Sequence, residues 1–165
     1  MTILSRIYKL SGRPVPYYAN YSILKIMWIP IRKYINVVFI PNVPFSGLRI
    51  RLYRMIGFKI GKNVFIGMKC YLDDLEPSNT SIGNNVTISY GCYFSMHGKG
   101  QTRTHIEIKD GAYIGMRATL MAKKAGLVIG EKAIVGAGSV VVKHVLPNTT
   151  VVGVPAKEVG EKNKS

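Results

Sequence analysis

The residues best suited to acid–base chemistry lie in one polar segment, from Phe94 to His105. The segment holds His97 and His105, two of the three histidines of the chain, together with glycines, a lysine and an arginine. A neutral imidazole can remove the proton of an attacking hydroxyl group, provided that a partner on its other nitrogen orients the ring. The glycines and cations around the histidines indicate a loop that suits an anionic ligand.

A six-residue repeat predicts the elements that position this segment. From residue 60 onward an aliphatic residue followed by glycine recurs at six-residue steps, first as Ile60-Gly61 and Ile66-Gly67. Weaker members complete four triplets of anchors, in which eleven of the twelve residues are Ile, Leu or Val. The triplets are Ile60, Ile66, Leu72; Ile82, Ile88, Phe94; Ile108, Ile114, Leu120; and Ile129, Val135, Val141. A fixed short period of this kind indicates a repeat architecture.

The positions between the anchors follow the same period. A small side chain or Val stands four residues after most anchors, and Asn or Gly stands at the turns. This pattern predicts a three-sided coil, in which each unit is one side and its polar residues turn the corner. The predicted turn formers are Asn63, Asn85, Gly91, Gly111 and Gly138; the small interior positions are Val64, Cys70, Val86, Cys92, Gly98, Ala112, Ala118, Ala133, Ser139 and Val145.

Both cysteines fall on small interior positions. Cys70 and Cys92 are one turn apart in this register, so we expect them to form a column with Ala118 and Ser139. Buried thiols without charged partners are inert, which leaves no cysteine for a covalent acyl intermediate. Two cysteines make no disulfide framework, and a reducing compartment is the simplest expectation.

Three insertions interrupt the repeat, and all leave from the same side of the coil. Four residues are extra between Leu72 and Ile82, eight between Phe94 and Ile108, and three between Leu120 and Ile129. Repeated bulges at one edge of a scaffold indicate a functional site there. The histidine-bearing segment is the largest of the three insertions.

The repeat resembles that of the hexapeptide-repeat acyltransferases, a family with a left-handed parallel β-helix. The resemblance covers residues 58–158 and implies an all-β domain of that fold. The left-handed coiling is implied by the family resemblance alone. General chirality rules would favour a right-handed coil. Residues 1–57 lack the repeat and are predicted to form a short, mainly helical N-terminal segment, and residues 159–165 a flexible basic tail.

Two helices are predicted in the N-terminal segment, where they would cap the open end of the coil. One lies between Ser46 as N-cap and Gly57 as its stop, and the other runs from Ser22 to about Trp28, before Pro30. These boundaries follow the usual capping signals. In the helix between Ser46 and Gly57, the expected apolar stripe is Leu48, Leu52, Met55 and Ile56, with Arg49, Arg51 and Arg54 off it.

The chain carries 23 Lys and Arg against 8 Asp and Glu, a net charge of +15. This balance predicts an anionic partner. The basic, aromatic N-terminal segment suits docking on an anionic membrane, while end-capping or contacts within an oligomer explain the same apolarity. The residues that suit docking are Tyr17, Tyr18, Lys25, Trp28, Arg32, Lys33 and Tyr34. Nucleic acid is not an expected partner, because no recognition module accompanies the charge.

The resemblance to sugar and xenobiotic O-acetyltransferases of this fold implies several site residues. His97 stands where their catalytic histidine lies, which makes it the expected general base. In the stacked register Asp74 lies one turn below Met96 and close to His97. Either Asp74 or its neighbour Asp73 would orient the imidazole. The family places the oxyanion donor on the backbone amide that corresponds to Met116, since a tetrahedral oxyanion needs a preorganised donor.

The same resemblance implies acetyl-CoA as cosubstrate, bound along the later turns without a metal. The matching positions are Met116, Ala137, Lys143 and Lys157. Lys157 closes the run Gly153-Val154-Pro155-Ala156-Lys157, and lysines there suit phosphate groups. Relatives usually carry Thr and Asp beside the lysine that corresponds to Lys143, where this chain has Val142 and His144.

These features predict an acetyl-CoA-dependent O-acetyltransferase that acts on a hydroxyl of a sugar or polysaccharide precursor by direct transfer. An amino-sugar N-acetyltransferase uses much the same site. The loop from Gly98 to His105 also loosely resembles that of serine acetyltransferases, which carry an upstream Asp-His pair absent here. A non-catalytic β-helix scaffold or membrane adaptor is the alternative of another class. A γ-carbonic anhydrase of this fold is not expected: it would need three zinc-binding histidines, two of them a short step apart, and the third histidine here, His144, lies far along the coil.

The resemblance also bears on assembly and location. The family forms its active sites between neighbouring subunits of a trimer, so a homotrimer is expected. The N-terminus lacks the apolar run of a signal peptide, and no stretch reaches the roughly 18 apolar residues of a membrane span. We therefore expect a cytoplasmic protein, at most peripheral to the inner face of the membrane.

Overall fold

The computed structural model describes residues 3–12, 14, 21–73, 76–97 and 104–159. The chain divides into two compact bodies, one ending at Ile35 and the other beginning at Asn36. Tyr17 and Tyr18, proposed above for membrane docking, lie outside the described residues, as does the predicted tail beyond residue 159.

The first body contains two helices, α1 (Ile3–Leu10) and α2 (Ile23–Tyr34). No sequence pattern predicted α1. The predicted end of α2 before Pro30 is wrong, because the helix continues past this residue to Tyr34. Proline has a helical φ near −65°, so it removes one main-chain hydrogen bond without ending the helix. Among the described residues, no helix has the length and apolarity needed to cross a bilayer.

The second body begins with a helical segment that leads into the repeat. A π-helical turn (Ile35–Phe39) crosses from the first body, and a 3₁₀ turn (Ile40–Asn42) and α3 (Ser46–Met55) follow. The predicted N-cap of α3 is wrong: Ser46 is the first helical residue, and Phe45 takes the cap position without a side-chain hydrogen bond. Gly57 follows the C-cap with a φ of +111°, as the predicted stop requires.

The buried face of α3 differs from the predicted stripe. Its buried residues are Arg49, Ile50 and Tyr53, whereas Leu48 and Met55 are exposed. The Arg49 guanidinium donates to the main-chain oxygens of Val43 and Ile66, and its Nη2 atom lies 2.6 Å from the Ile66 oxygen. The arginine therefore pairs carbonyls at the open end of the coil, a role that hydrophobic periodicity does not reveal.

After α3 the chain winds as a three-sided parallel solenoid with one sheet on each side, the strands being numbered in chain order. The first sheet holds β1 (Lys59–Ile60), β3 (Thr80–Ile82), β6 (Ile106–Ile108) and β9 (Leu127–Ile129). The second holds β2 (Phe65–Ile66), β4 (Thr87–Ile88), β7 (Tyr113–Ile114), β10 (Ile134–Val135), β12 (Thr150–Gly153) and, antiparallel at its end, β13 (Ala156–Glu158). The third holds β5 (Tyr93–Ser95), β8 (Thr119–Met121) and β11 (Val140–Val141).

The predicted register of the anchors is confirmed. Ile82 pairs with Ile108 on the first side, and Phe94 pairs with Leu120 on the third. All anchors except the half-buried Ile60 are at most 3% exposed. Three columns of stacked aliphatic side chains therefore fill the interior, and their burial is the main apolar contribution to stability.

The prediction for one small interior position, Val145, is wrong. The repeat predicts Val145 at a small position after Val141, but Val145 pairs with Ile129 and so occupies an anchor position. The third side is shortened here, and the chain turns its corner early. β12 continues the second side by pairing Val151 with Val135, and β13 then covers its outer edge.

The corners carry a left-handed backbone. All five predicted turn formers adopt positive φ, between +52° and +71°. Lys69, Arg117 and Lys132 take the same conformation at equivalent corners. Their side chains disfavour this conformation, so their residue types gave no signal of it. The six-residue spacing, and not the residue type, determines where the coil turns.

The glycine of most aliphatic–Gly pairs is explained by the close approach of successive turns. A Cβ atom on Gly67 would lie 2.6 Å from the Tyr90 nitrogen, and one on Gly115 would lie 2.5 Å from the Ala137 nitrogen. The Gly67 N–H donates to the Ile88 oxygen at 2.7 Å. The turns therefore stack main chain on main chain, and no other residue fits at these positions without displacement.

The predicted column with the cysteines is confirmed. Its members, Cys70, Cys92, Ala118 and Ser139, are at most 1% exposed. Both thiols donate to the Ser89 oxygen, at 3.0 and 3.2 Å. A hydrogen bond with Cys70, together with burial, raises the pKa of the Cys92 thiol. Cys92 is therefore a packing residue and not a nucleophile.

Replacing Gly67 by Ala is expected to destabilise the solenoid by about 1–3 kcal/mol, because the added methyl group overlaps the main chain of the next turn. The free energy of unfolding from denaturant melts measures the effect. Gly47→Ala in α3 is the control, since a Cβ there meets nothing within 4 Å. Removing a helical glycine should raise stability by up to about 1 kcal/mol. Equal stability of the two variants would contradict the close stacking.

Candidate active site

The third side of the solenoid ends in a histidine–aspartate pair. His97 Nδ1 and Asp73 Oδ2 are 2.6 Å apart, although the residues are separated by 24 positions in sequence. The Asp73 side chain is fully buried, whereas the His97 side chain is 37% exposed. Because a carboxylate accepts hydrogen bonds, the neutral imidazole carries its proton on Nδ1 and keeps a lone pair on Nε2. The pair thus presents a base at the surface and holds its orienting group inside.

The Asp73 carboxylate is fixed by the neighbouring turn. The Met96 N–H donates to the same Oδ2 atom at 2.6 Å. The peptide before Asp73 is fixed as well, because Asn36, which is fully buried, donates from Nδ2 to the Leu72 oxygen at 2.6 Å. The carboxylate is therefore held beside the imidazole before any ligand binds.

The loop that carries His97 is closed at its base. The Thr104 N–H donates to the Met96 oxygen at 3.2 Å, so that the chain leaves and re-enters the coil at one point. Asn79, in a 3₁₀ turn (Pro77–Asn79), donates from Nδ2 to the Thr104 oxygen at 3.1 Å. The first insertion thus supports the second. Sequence reasoning missed Asn36, Asn79 and Thr104, because main-chain partners leave no pattern in the sequence.

The other candidates around this loop fall into two groups. Asp74, the alternative orienting residue, and residues 98–103 lie outside the described residues. His105 is exposed and covers Gly126 of the next turn, where an added Cβ would lie 2.3 Å from the imidazole ring. The structure therefore pairs His97, and not His105, with a buried carboxylate.

The predicted oxyanion donor lies at a different corner, between the second and third sheets. Met116 stands in the turn after β7, and its side chain is 52% exposed. Its oxygen accepts a hydrogen bond from the Gly138 N–H at 2.8 Å, while its own N–H donates to no acceptor in the described part of the chain. Within the described residues, no internal acceptor therefore competes for this amide.

Ala137 and Lys157 lie near the same corner. Ala137 is stacked one turn after Met116, as the contact of its nitrogen with Gly115 shows. The Gly153 N–H donates to Ser139 Oγ at 3.1 Å, which ties the β12–β13 hairpin to the turn that holds Ala137. Lys157, on that hairpin, is exposed. An ammonium group beside an exposed turn suits phosphate binding.

Lys143 does not join this group. It follows β11 and is exposed at the corner between the third and first sheets, next to His144. The His144 Nδ1 atom accepts a hydrogen bond from the Val128 N–H at 2.9 Å. That histidine therefore has a structural use at the position where relatives usually carry Asp.

The two candidate groups stand at opposite ends of the third side. The His97–Asp73 pair lies where the third side ends, and Met116 lies where it begins. Five or six extended residues separate such corners, a span of roughly 15–20 Å. Within one chain, the base and the predicted oxyanion donor therefore do not meet.

The repeat of this chain matches that of a known protein family. A family model described as the hexapeptide repeat of succinyl-transferase matches residues 57–94 and 106–143. The serine acetyltransferase of Bacillus subtilis is 34% identical over 124 residues, which cover 73% of this chain and 51% of that protein. The chain thus spans about half the length of the curated relatives that it matches.

Two solved structures share the fold over nearly the whole chain. A hexapeptide-repeat-containing acetyltransferase from Vibrio cholerae, complexed with acetyl coenzyme A, has a TM-score of 0.69 at 22% identity and covers 94% of this chain and 97% of its own. A maltose O-acetyltransferase from Clostridium difficile has a TM-score of 0.64 at 22% identity and covers 96% of each chain. The hexapeptide repeats identify the solenoid as a left-handed β-helix. On this evidence, the chain belongs to the hexapeptide-repeat acetyltransferase family.

Proposed function

We propose that this protein transfers the acetyl group of acetyl-CoA to a hydroxyl group of a sugar or polysaccharide precursor. The observation that carries the proposal is the 2.6 Å contact between His97 and the buried Asp73. A partly exposed imidazole with an oriented Nδ1–H is suited to deprotonate an alcohol during attack on a thioester. The buried cysteines offer no covalent route, which favours direct transfer.

In this mechanism the acceptor hydroxyl donates its proton to His97 Nε2 as its oxygen attacks the thioester carbonyl carbon. The Asp73 carboxylate stabilises the imidazolium that forms. The Met116 N–H donates to the oxyanion of the tetrahedral intermediate. When the carbon–sulfur bond breaks, the imidazolium returns the proton to the leaving thiolate. The products are the acetyl ester and free coenzyme A.

The separation of the two corners supports an assembly in which neighbouring copies complete each site. The imidazole of one copy would face the Met116 amide of another, which a homotrimer with cyclic symmetry allows. Ala137 and Lys157 would then contact coenzyme A on the same side as Met116, and Lys143 would meet it from the other. The exposed lysines suit the phosphate groups of coenzyme A.

Serine is the second candidate acceptor. Its support is the relationship to the serine acetyltransferase of Bacillus subtilis, at 34% identity. The sugar acceptor is supported by the likeness to the maltose O-acetyltransferase over 96% of each chain. Both acceptors present a primary or secondary hydroxyl to the same base, so the dyad does not discriminate between them.

Substitution of the dyad is expected to lower kcat on the order of 10²–10⁴-fold, for either His97→Ala or Asp73→Asn, because each removes the oriented base. The double variant should be no slower than His97→Ala, since Asp73 acts only through the imidazole. Steady-state release of coenzyme A measures the rates, and calorimetry should show that coenzyme A still binds.

The matched control is Asp110→Asn. Asp110 is an exposed carboxylate at another corner, and hydrogen bonds from the Asn84 side chain and N–H lower its pKa. Its loss should leave kcat within about twofold, as for a surface residue away from the chemistry. Equal losses in the control and in Asp73→Asn would show that the dyad has no special role.

The acceptor is tested by assaying coenzyme A release with free sugars, nucleotide sugars, lipid-linked oligosaccharides, amino sugars and serine. With a sugar acceptor, kcat/KM for coenzyme A release should exceed the value for hydrolysis of acetyl-CoA without an acceptor by at least about 10²-fold. The reason is that a matched site positions the acceptor hydroxyl. Highest turnover on serine would replace the sugar by the second candidate. Turnover confined to the amine of amino sugars would indicate N-acetylation.

The proposed assembly predicts a mass in solution near three times the 18.3 kDa of one chain. Light scattering coupled to size exclusion measures it. A protein that is monomeric over the concentration range of the assay, yet fully active, would contradict a site shared between copies.

A further inference from the structure

The second helix, α2, presents an unusually apolar exposed surface. Ile23, Leu24, Met27, Trp28, Ile31 and Tyr34 are between 47% and 80% exposed. At 3.6 residues per turn they share one arc of about 140° of the helix circumference. We refer to these six residues as the α2 face. A soluble surface rarely exposes so much contiguous apolar side chain without a partner.

The body that carries this face has charge of one sign only. Residues 1–35 contain six Lys or Arg and no Asp or Glu, so all eight acidic residues lie in the second body. Arg32 and Lys33 lie on α2 itself, off the apolar arc. α1 repeats the pattern on a smaller scale, with Ile7 and Leu10 exposed and Arg6 and Lys9 beside them.

We propose that the α2 face binds the interface of an anionic lipid bilayer, with the helix lying in the plane of the membrane. The apolar arc would enter the boundary between headgroups and acyl chains, while the flanking cations contact lipid phosphates. Trp28 and Tyr34 have the amphipathic rings that favour this depth. The twelve residues of α2 are too short to span the bilayer.

The charge pattern favours a bilayer over the isologous pairing of two α2 faces. An isologous contact would bring two cationic first bodies together without any acidic residue in either of them. Such a contact stays repulsive at low salt. Anionic lipid supplies both an apolar phase and the opposite charge, so it satisfies the two features of the α2 face at once.

Trp28 is the only tryptophan of the chain, and it lies on the proposed contact. The full-length protein is therefore titrated with phosphatidylcholine vesicles, with and without phosphatidylglycerol, while tryptophan emission is recorded. The proposal predicts a shift to shorter wavelength with the anionic vesicles only, quenching by lipids brominated on the acyl chain, and weakening by salt. Absence of the shift with anionic vesicles at low salt overturns the proposal.

Two pairs of substitutions separate the apolar and the charged contributions. Leu24→Ser/Ile31→Ser removes apolar area from the α2 face and leaves the charge unchanged; Lys9→Glu/Lys33→Glu reverses two exposed charges of the first body. Each pair should weaken binding to anionic vesicles by roughly tenfold or more. Neither pair touches the dyad, and unchanged circular dichroism confirms that the protein is folded.

The matched control is Arg51→Glu/Lys62→Glu, which makes the same change in net charge on exposed residues of the second body. Its binding should stay within about threefold of the unaltered protein, because only charges near the bilayer contribute strongly. Equal loss in the control would mean that net charge alone attracts the protein, and the proposal fails. The proposal also fails if Leu24→Ser/Ile31→Ser lowers the oligomeric state without lipid and leaves vesicle binding unchanged, since the face would then join copies of the chain.

Discussion

The contact of main chain on main chain between successive turns is the constraint on which the rest of this structure depends. Glycine follows the aliphatic anchor where the turns approach most closely, and a Cβ at Gly67 or Gly115 would overlap the backbone of the next turn. Because the turns stack at hydrogen-bond distance, residues about one turn apart in the sequence become direct neighbours in space. His97 and Asp73, 24 positions apart, meet for this reason.

The dyad forms where the repeat is broken. The dyad joins two side chains, a buried Asp73 carboxylate and a partly exposed His97 imidazole. The insertions leave the third side together, and polar contacts from Asn79 and Thr104 close their base. Buried groups of this kind are stable only when their hydrogen bonds are satisfied, and Met96 and Asn36 supply donors at this point. The regular coil thus fixes the positions of neighbouring turns, and the irregular edge carries the side chains suited to acid–base chemistry.

Sequence patterns predicted the features that repeat and missed those that occur once. The anchors, the turn formers and the cysteine column follow a fixed period, and each was recoverable because local spacing alone determines its place. His97 was identified through the resemblance of its surroundings, and its partner was narrowed to two neighbouring aspartates. Arg49, by contrast, was expected on the exposed side of α3, because hydrophobic periodicity cannot anticipate a guanidinium that pairs main-chain carbonyls. Val145 depended likewise on tertiary context, since its pairing with Ile129 overrides the local repeat. The length of α2 was underestimated because a helix can continue through a proline at the loss of one main-chain hydrogen bond.

The protonation state of the His97 imidazole gives the most direct test of the site. Nitrogen-15 chemical shifts of the labelled protein report which ring nitrogen carries the proton, and the His97→Gln variant assigns the signals among the three histidines. The geometry predicts that the neutral ring is protonated on Nδ1 and bare on Nε2, and that Asp73→Asn alters this pattern. A neutral ring protonated on Nε2, or signals that are indifferent to Asp73→Asn, would contradict an imidazole oriented as a base.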